Sequence, residues 1–118
     1  MTNAVAEQLI EIAGVVAAIR LCRHFRGRWV VIPATMHETH PIALIIGMEA
    51  AEELSRRRGG ERIELPTESS ALLSARNREI AQRYIAGTSI SQLAQDFGYT
   101  RAGIVRILEH AGVERRRE

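Results

Sequence analysis

Residues Ile12–Pro33 and Ile45–Pro66 are two copies of one pattern. Shifting the chain by 33 residues lays the first over the second without a gap. Eight of the 22 positions are identical: Ile12/Ile45, Gly14/Gly47, Ala17/Ala50, Ala18/Ala51, Leu21/Leu54, Arg23/Arg56, Gly27/Gly60 and Pro33/Pro66. Random pairing at ordinary composition gives roughly one or two such matches. Val30/Ile63 and Ile32/Leu65 are conservative pairs. A period of this length marks one supersecondary unit used twice, because a unit so short cannot bury its own apolar face.

Each copy reads as a short apolar helix, a Gly, a second helix, a Gly turn and a strand. Gly14 and Gly47 suit the break between helices, since Gly tolerates positive φ at a helix end. The second helices are expected over 15–25 and 48–58. Trp29–Ile32 and Arg62–Leu65 are β-prone or alternating segments. Pro33 and Pro66 stop them, having no N–H for a ladder. Two similar halves in one chain commonly pack about a pseudo-two-fold axis, which sets equivalent strands side by side and antiparallel. A two-stranded ribbon needs helices on one face. Ile63 and Leu65, with Val30 and Ile32, are expected to face those helices. Trp29 and Val31 then lie on the far face, opposite the usual place for apolar residues, and are the candidate dimer interface. The chain's own C-terminal region is the other candidate for covering them, and a register slip by one residue would swap the faces.

After Pro66, candidate caps Thr67, Ser69 and Ser70 lead into a helix of about 70–86, with Leu73, Ile80 and Tyr84 on one face and Gly87 ending it. Residues 89–109 then read as a helix-turn-helix. Ala94 is the small residue where the two helices approach, and Gly98 supplies positive φ at the turn. Leu93 and Phe97 complete the inward face of the first helix, while Ile104 and Ile107 anchor the second. Ser89 with Gln92 makes a capping box, and Thr100 is a natural N-cap for the second helix. Such a helix enters the major groove by its N-terminal half. The candidate base-reading residues are therefore Thr100, Arg101, Ala102, Val105 and Arg106. The two arginines match guanine O6 and N7, and Ala102 or Val105 the thymine methyl. Thr88, Ser89, Ser91 and the terminal Arg115, Arg116 and Arg117 are the candidate phosphate contacts.

All 16 basic residues are Arg, and the formal net charge is only +2. Bulk charge thus says little, but the clustering of Arg toward the C-terminus fits bidentate phosphate and guanine contacts. Aromatics are 4% of the chain, so any core is built of Ala, Ile, Leu and Val. No apolar run approaches the ~20 residues of a membrane span, and no signal peptide is visible. The single Cys22 cannot form an internal disulfide and fits a reducing cytoplasm. His37 and His40 lie in the polar connector Ala34–Pro41 as HETH, not HExxH, and read as a solvated loop, so no metal site is expected. No Gly-rich phosphate loop or Cys-His pair is present. The expectation is a protein that is no enzyme, with no catalytic residues and no cofactor.

The elements GGERIELP (59–66) and RNREIAQRYIAGTSISQLAQDFGYT (76–100) resemble the Mor family of phage middle-operon transcription activators, over about 45–113. The family joins a Gly-Gly turn and a strand ending in Ile-Pro to a C-terminal helix-turn-helix; here Glu64 and Leu65 stand before Pro66 where Tyr and Ile are usual. The resemblance implies a homodimer made through an N-terminal helix-and-strand region, binding an imperfect dyad near a promoter and recruiting RNA polymerase. RGRWVVIP (26–33) is a second match to the Gly-strand-Pro element. It leaves open whether the repeat is an intrachain pseudo-dimer or half of an intersubunit sheet.

The expected architecture is mainly α with a small two-stranded β-ribbon. Residues 1–66 form a helix/strand dimerisation region and 67–118 the helix-turn-helix domain. The expected function is a DNA-binding transcriptional regulator of phage or prophage type, with double-stranded DNA and a second copy of itself as partners. A repressor, or an antirepressor-like protein-interaction module that keeps the fold without binding DNA, are the alternatives.

Overall fold

The computed structural model describes residues 3–116; Arg117 lies outside the described residues. Seven helices and one ribbon follow in order among them: α1 (Ala4–Ala13), α2 (Val15–Phe25), β1 (Trp29–Val31), α3 (Pro41–Ile46), α4 (Met48–Arg58), β2 (Arg62–Glu64), α5 (Glu68–Ile85), α6 (Ile90–Phe97) and α7 (Arg101–His110). The mainly helical class with a small ribbon is thus the one expected.

The repeat is a structural one. α2 and α4 have the bounds expected from the sequence, and both strands begin at equivalent residues. Gly14 (φ 93°, ψ 162°) and Gly47 (φ 88°, ψ 155°) adopt nearly the same backbone, one that L side chains avoid. Each closes one helix and opens the next. Gly14 N–H donates to Ile10 O at 2.9 Å and its carbonyl accepts from Ala18 N at 3.0 Å. Gly47 does the same with Ala43 O and Ala51 N.

The helices start where a side chain can take the orphan N–H groups. Asn3 Oδ1 accepts from Val5 N and Ala6 N at 2.9 and 3.1 Å. His40 Nδ1 accepts from Ile42 N at 3.1 Å, with Pro41 in the first turn. His40 is therefore a cap for α3 rather than a loop residue with no fixed task. Thr67 Oγ1 accepts from Ser70 N at 3.2 Å, so α5 begins at Glu68, earlier than Ser70.

β1 and β2 pair antiparallel in the register Trp29↔Glu64, Val30↔Ile63 and Val31↔Arg62. Ile32 N–H donates to Glu61 O and Leu65 N–H to Arg28 O, each at 2.9 Å. Ile63 is buried and Val30 half-buried on the helix side. Trp29 and Val31 lie on the other face, 55% and 59% exposed, so no register slip occurs. The Arg62 guanidinium stacks over the Trp29 ring at 4.8 Å.

Beneath the ribbon, α1 and α3 each pack against both α2 and α4. The core uses equivalent residues from both copies: Leu9 and Ile42, Ile10 and Ala43, Ala18 and Ala51, Leu21 and Leu54, Ile32 and Leu65. The structural repeat therefore reaches upstream of Ile12, into α1 and α3. Each fully buried Leu or Ile contributes ~1.5–3 kcal/mol. Cys22 and Ser55 are also equivalent and buried. Ser55 Oγ donates to the Pro33 carbonyl at 2.8 Å, whereas burial pushes the Cys22 thiol from 9.0 up to about 11.

Contacts divide the chain into two compact units at Ala75–Arg76, inside α5. Leu65 and Pro66 close the second copy of the repeat; Ala71 and Ala75 still pack in the first core. The second unit has its own core of Ile80, Ala81, Tyr84, Ile90, Leu93, Ala94, Ile104 and Leu108.

Candidate nucleic-acid interface

The second unit is built around three helical segments: the end of α5, then α6 and α7. Ser89 Oγ accepts from Gln92 N at 3.1 Å and starts α6. Gly98 ends it with φ 70°, ψ 32°, the left-handed conformation that the turn into α7 requires. Thr100 Oγ1 then accepts from Gly103 N at 3.0 Å and starts α7. The segment expected to be helix, turn and helix has α6, a turn at Gly98 and α7, with Ser89 and Thr100 as caps. The expected capping box is only half made, because the Gln92 side chain donates to Asp96 Oδ1 instead of returning to the Ser89 N–H.

The anchoring of α7 differs in one residue. Ile104 and Leu108 are fully buried, and Ile107 is half-buried at the edge of the same core. Spacings of three and four residues both return to one helix face, and here the four-residue neighbour goes deepest. This choice turns Ala102, Arg106 and Glu109 outward along one line, with Arg101 and His110 also exposed.

Each expected base-reading residue has a definite place. Thr100 is exposed, with its hydroxyl engaged as the cap. Arg101, Ala102 and Arg106 are exposed on α7. Val105 is half-buried and packs against the core, so it flanks that surface instead of crowning it. Gly103 leaves no side chain between them, and a Cβ there would stand 3.3 Å from Thr100 Oγ1.

The expected phosphate contacts divide into three groups. Ser91 Oγ accepts from Arg101 Nη1, which links the start of α6 to the start of α7. Arg115 is exposed. Arg116 folds back onto the unit. Its guanidinium lies over the Tyr84 ring at 3.8 Å and donates to the Tyr84 and Thr88 carbonyls, while its backbone N–H donates to Tyr84 Oη at 2.8 Å. Thr88 is thus occupied through its carbonyl and Arg116 is a clamp on the end of α5.

Three further contacts brace this unit. Arg83 Nη2 donates to Asp96 Oδ2 at 2.6 Å, and Gln92 Nε2 donates to Asp96 Oδ1 at 2.7 Å, tying α5 to α6. The hydrogen bonds from Arg83 and Gln92 hold the Asp96 carboxyl below its ordinary range. Arg76 stacks over the Tyr99 ring at 4.8 Å, holding the turn residue beside Gly98. The Arg83–Asp96 and Arg76–Tyr99 pairs join residues on different segments, and no local spacing announces them, whereas Gln92–Asp96 is an i, i+4 pair within α6.

Among the described residues no cluster of three or more His, Cys, Asp or Glu is placed to hold a metal ion, and no helix is long and apolar enough to cross a membrane. The family model of the Mor transcription activator family matches residues 36–118. No curated protein and no solved structure matches.

Proposed function

The chain belongs to the Mor transcription activator family, and on that premise we propose that it is a sequence-specific, double-stranded-DNA-binding activator of phage or prophage type, working in the cytoplasm of a bacterial cell. The observation that carries this reading is the outer face of α7. Arg101, Ala102 and Arg106 stand exposed while Ile104 and Leu108 anchor the opposite side. That is the division a helix-turn-helix recognition helix needs in the major groove. Arg106 and Arg101 would read guanine, Ala102 a thymine methyl, and Val105 and Thr100 would flank them. Ser89 and Ser91 at the start of α6 would meet phosphates, with Thr88 beside them. Arg115 and Arg117 would add electrostatic affinity, joined by Arg116 if it leaves its seat on Tyr84.

One such helix reads only a few base pairs, so a dyad near a promoter calls for two chains. The exposed pair Trp29 and Val31, on the outer face of the ribbon, is the surface through which a second copy would join. At the promoter the partner would be RNA polymerase. The test is selection of bound duplexes from a random DNA pool. The expected product is an imperfect inverted repeat with half-sites about one helical turn apart. Recovery of no enriched sequence would overturn the reading.

A further inference from the structure

The residues matched by the family model contain only one copy of the repeat. Residues 36–118 hold α3, α4 and β2, followed by α5 to α7. Alone, that segment has one strand with no ladder partner and half of a core. In this chain the other half is the first copy. Its β1 pairs with β2, and its Leu9, Ala18, Leu21 and Ile32 fill the core opposite their own equivalents.

The correspondence is symmetrical in detail. Val30 and Ile63 are equivalent residues, and they pair with each other. Exchanging the copies turns Trp29↔Glu64 into Arg62↔Val31, which is also a pair. The same exchange turns the bond from Ile32 N to Glu61 O into the bond from Leu65 N to Arg28 O. α1 on α4 likewise becomes α3 on α2. A local two-fold axis therefore passes between Val30 and Ile63, as it would through an isologous interface between two subunits.

We propose that residues 4–33 are a built-in partner: within one chain they fill the place that a second copy of the helix-Gly-helix-strand element would take from another subunit. A chain with the single copy would bring one recognition helix per strand, and two per finished ribbon. This chain finishes its ribbon alone and carries one. That consequence rests on the DNA-reading role of α7; the cis pairing does not. An association through Trp29 and Val31 would then join two finished ribbons, not two half-ribbons.

The test is a Val31→Cys, Arg62→Cys double variant of the full chain. These residues face each other between the hydrogen-bonded pairs, at the ~4.5–5.5 Å Cα separation a disulfide accepts. The native Cys22 is buried and will not compete. On mild oxidation the expected product is a bridged monomer, its yield unchanged over about a hundredfold dilution. Bridged dimers whose yield falls on dilution, or no bridge at all, would overturn the proposal. If the variant does not fold, isotope-filtered NOEs on a mixture of labelled and unlabelled wild-type protein decide. The Val30–Ile63 contact must be absent from the intermolecular spectrum, and its presence there contradicts cis pairing. A random-pool selection in which the wild-type protein enriches no duplex would sink the functional reading and leave the cis pairing standing.

Discussion

Val30 faces Ile63 across the ribbon, and each is the other's equivalent in the repeat. One pair of residues thus defines both the register of the sheet and the axis relating the two halves of the N-terminal unit. The repeated glycines turn that symmetry into a measurable statement. Gly14 and Gly47 share a backbone that only Gly adopts without strain, and a Cβ added at either would meet no heavy atom within 4 Å. Substitution there costs conformational energy alone. Gly14→Ala and Gly47→Ala should each destabilise by about 1–3 kcal/mol, by nearly equal amounts. Urea unfolding monitored by far-UV circular dichroism measures both; a large inequality would mean that the two halves are not energetically alike.

Cys22 offers a second check on the same core. Burial raises its thiol to about 11, so the native thiol stays protonated at pH 9 where an unfolded one is half ionised. A raised folded value means that its contribution to stability is complete below about 9 and is lost as pH rises toward 11. Iodoacetamide at pH 9 should alkylate native Cys22 far more slowly than the urea-unfolded chain. Equal rates would show that α2 does not close over it.

Much of this was readable from the residues because the repeat carries its own control. The bounds of α2 and α4, the antiparallel ribbon and the outward placing of Trp29 and Val31 follow from aligning two copies whose shared positions must do the same job. Capping chemistry gave Ser89, Thr100 and the turn at Gly98. Leu108 was harder, since Ile107 satisfies helical periodicity equally well and only packing decides between them. His40 as a cap and the seats of Arg116 on Tyr84 and Arg83 on Asp96 lay beyond reach. A guanidinium fixes its partner through geometry across elements, which spacing does not encode. His40 bonds locally, to Ile42 N two residues on, but His is not among the side chains that usually cap a helix.

Trp29 is the residue on which to test the proposed association. Its equivalent in the second copy is Arg62, and its cross-strand neighbour is Glu64. Trp29→Arg would face Glu64 with an opposite charge across the strands, at the cost of the stacking contact with Arg62, and keep the ribbon paired. The expected protein is folded, with the helical content of the wild type, and monomeric at micromolar concentration. Sedimentation compares the two. A variant as dimeric as the wild type would remove Trp29 from the interface.

Arg115 and Arg116 should separate two roles. Arg115 is exposed, so Arg115→Ala should weaken binding to all duplexes alike and lower the slope of log affinity against log salt by about 1. Arg116→Ala removes the clamp on Tyr84 and Thr88, and its larger effect should be on the thermal midpoint. An Arg116→Ala protein of unchanged stability would mean that the clamp is not maintained in solution.

The most direct test of α7 as the reading helix is a base-by-base affinity profile of Arg106→Ala beside the wild type on the selected site. Arg106 is exposed on the outer line of the helix, away from Ile104 and Leu108, so its removal should leave the fold unchanged. Discrimination should fall by about 1–3 kcal/mol at one base pair and persist elsewhere. Arg101→Ala should do the same at a different base pair, and Ser91→Ala should weaken that second position by loosening Arg101. A uniform loss across all positions, or full affinity and selectivity in both arginine variants, would contradict the assignment of this face.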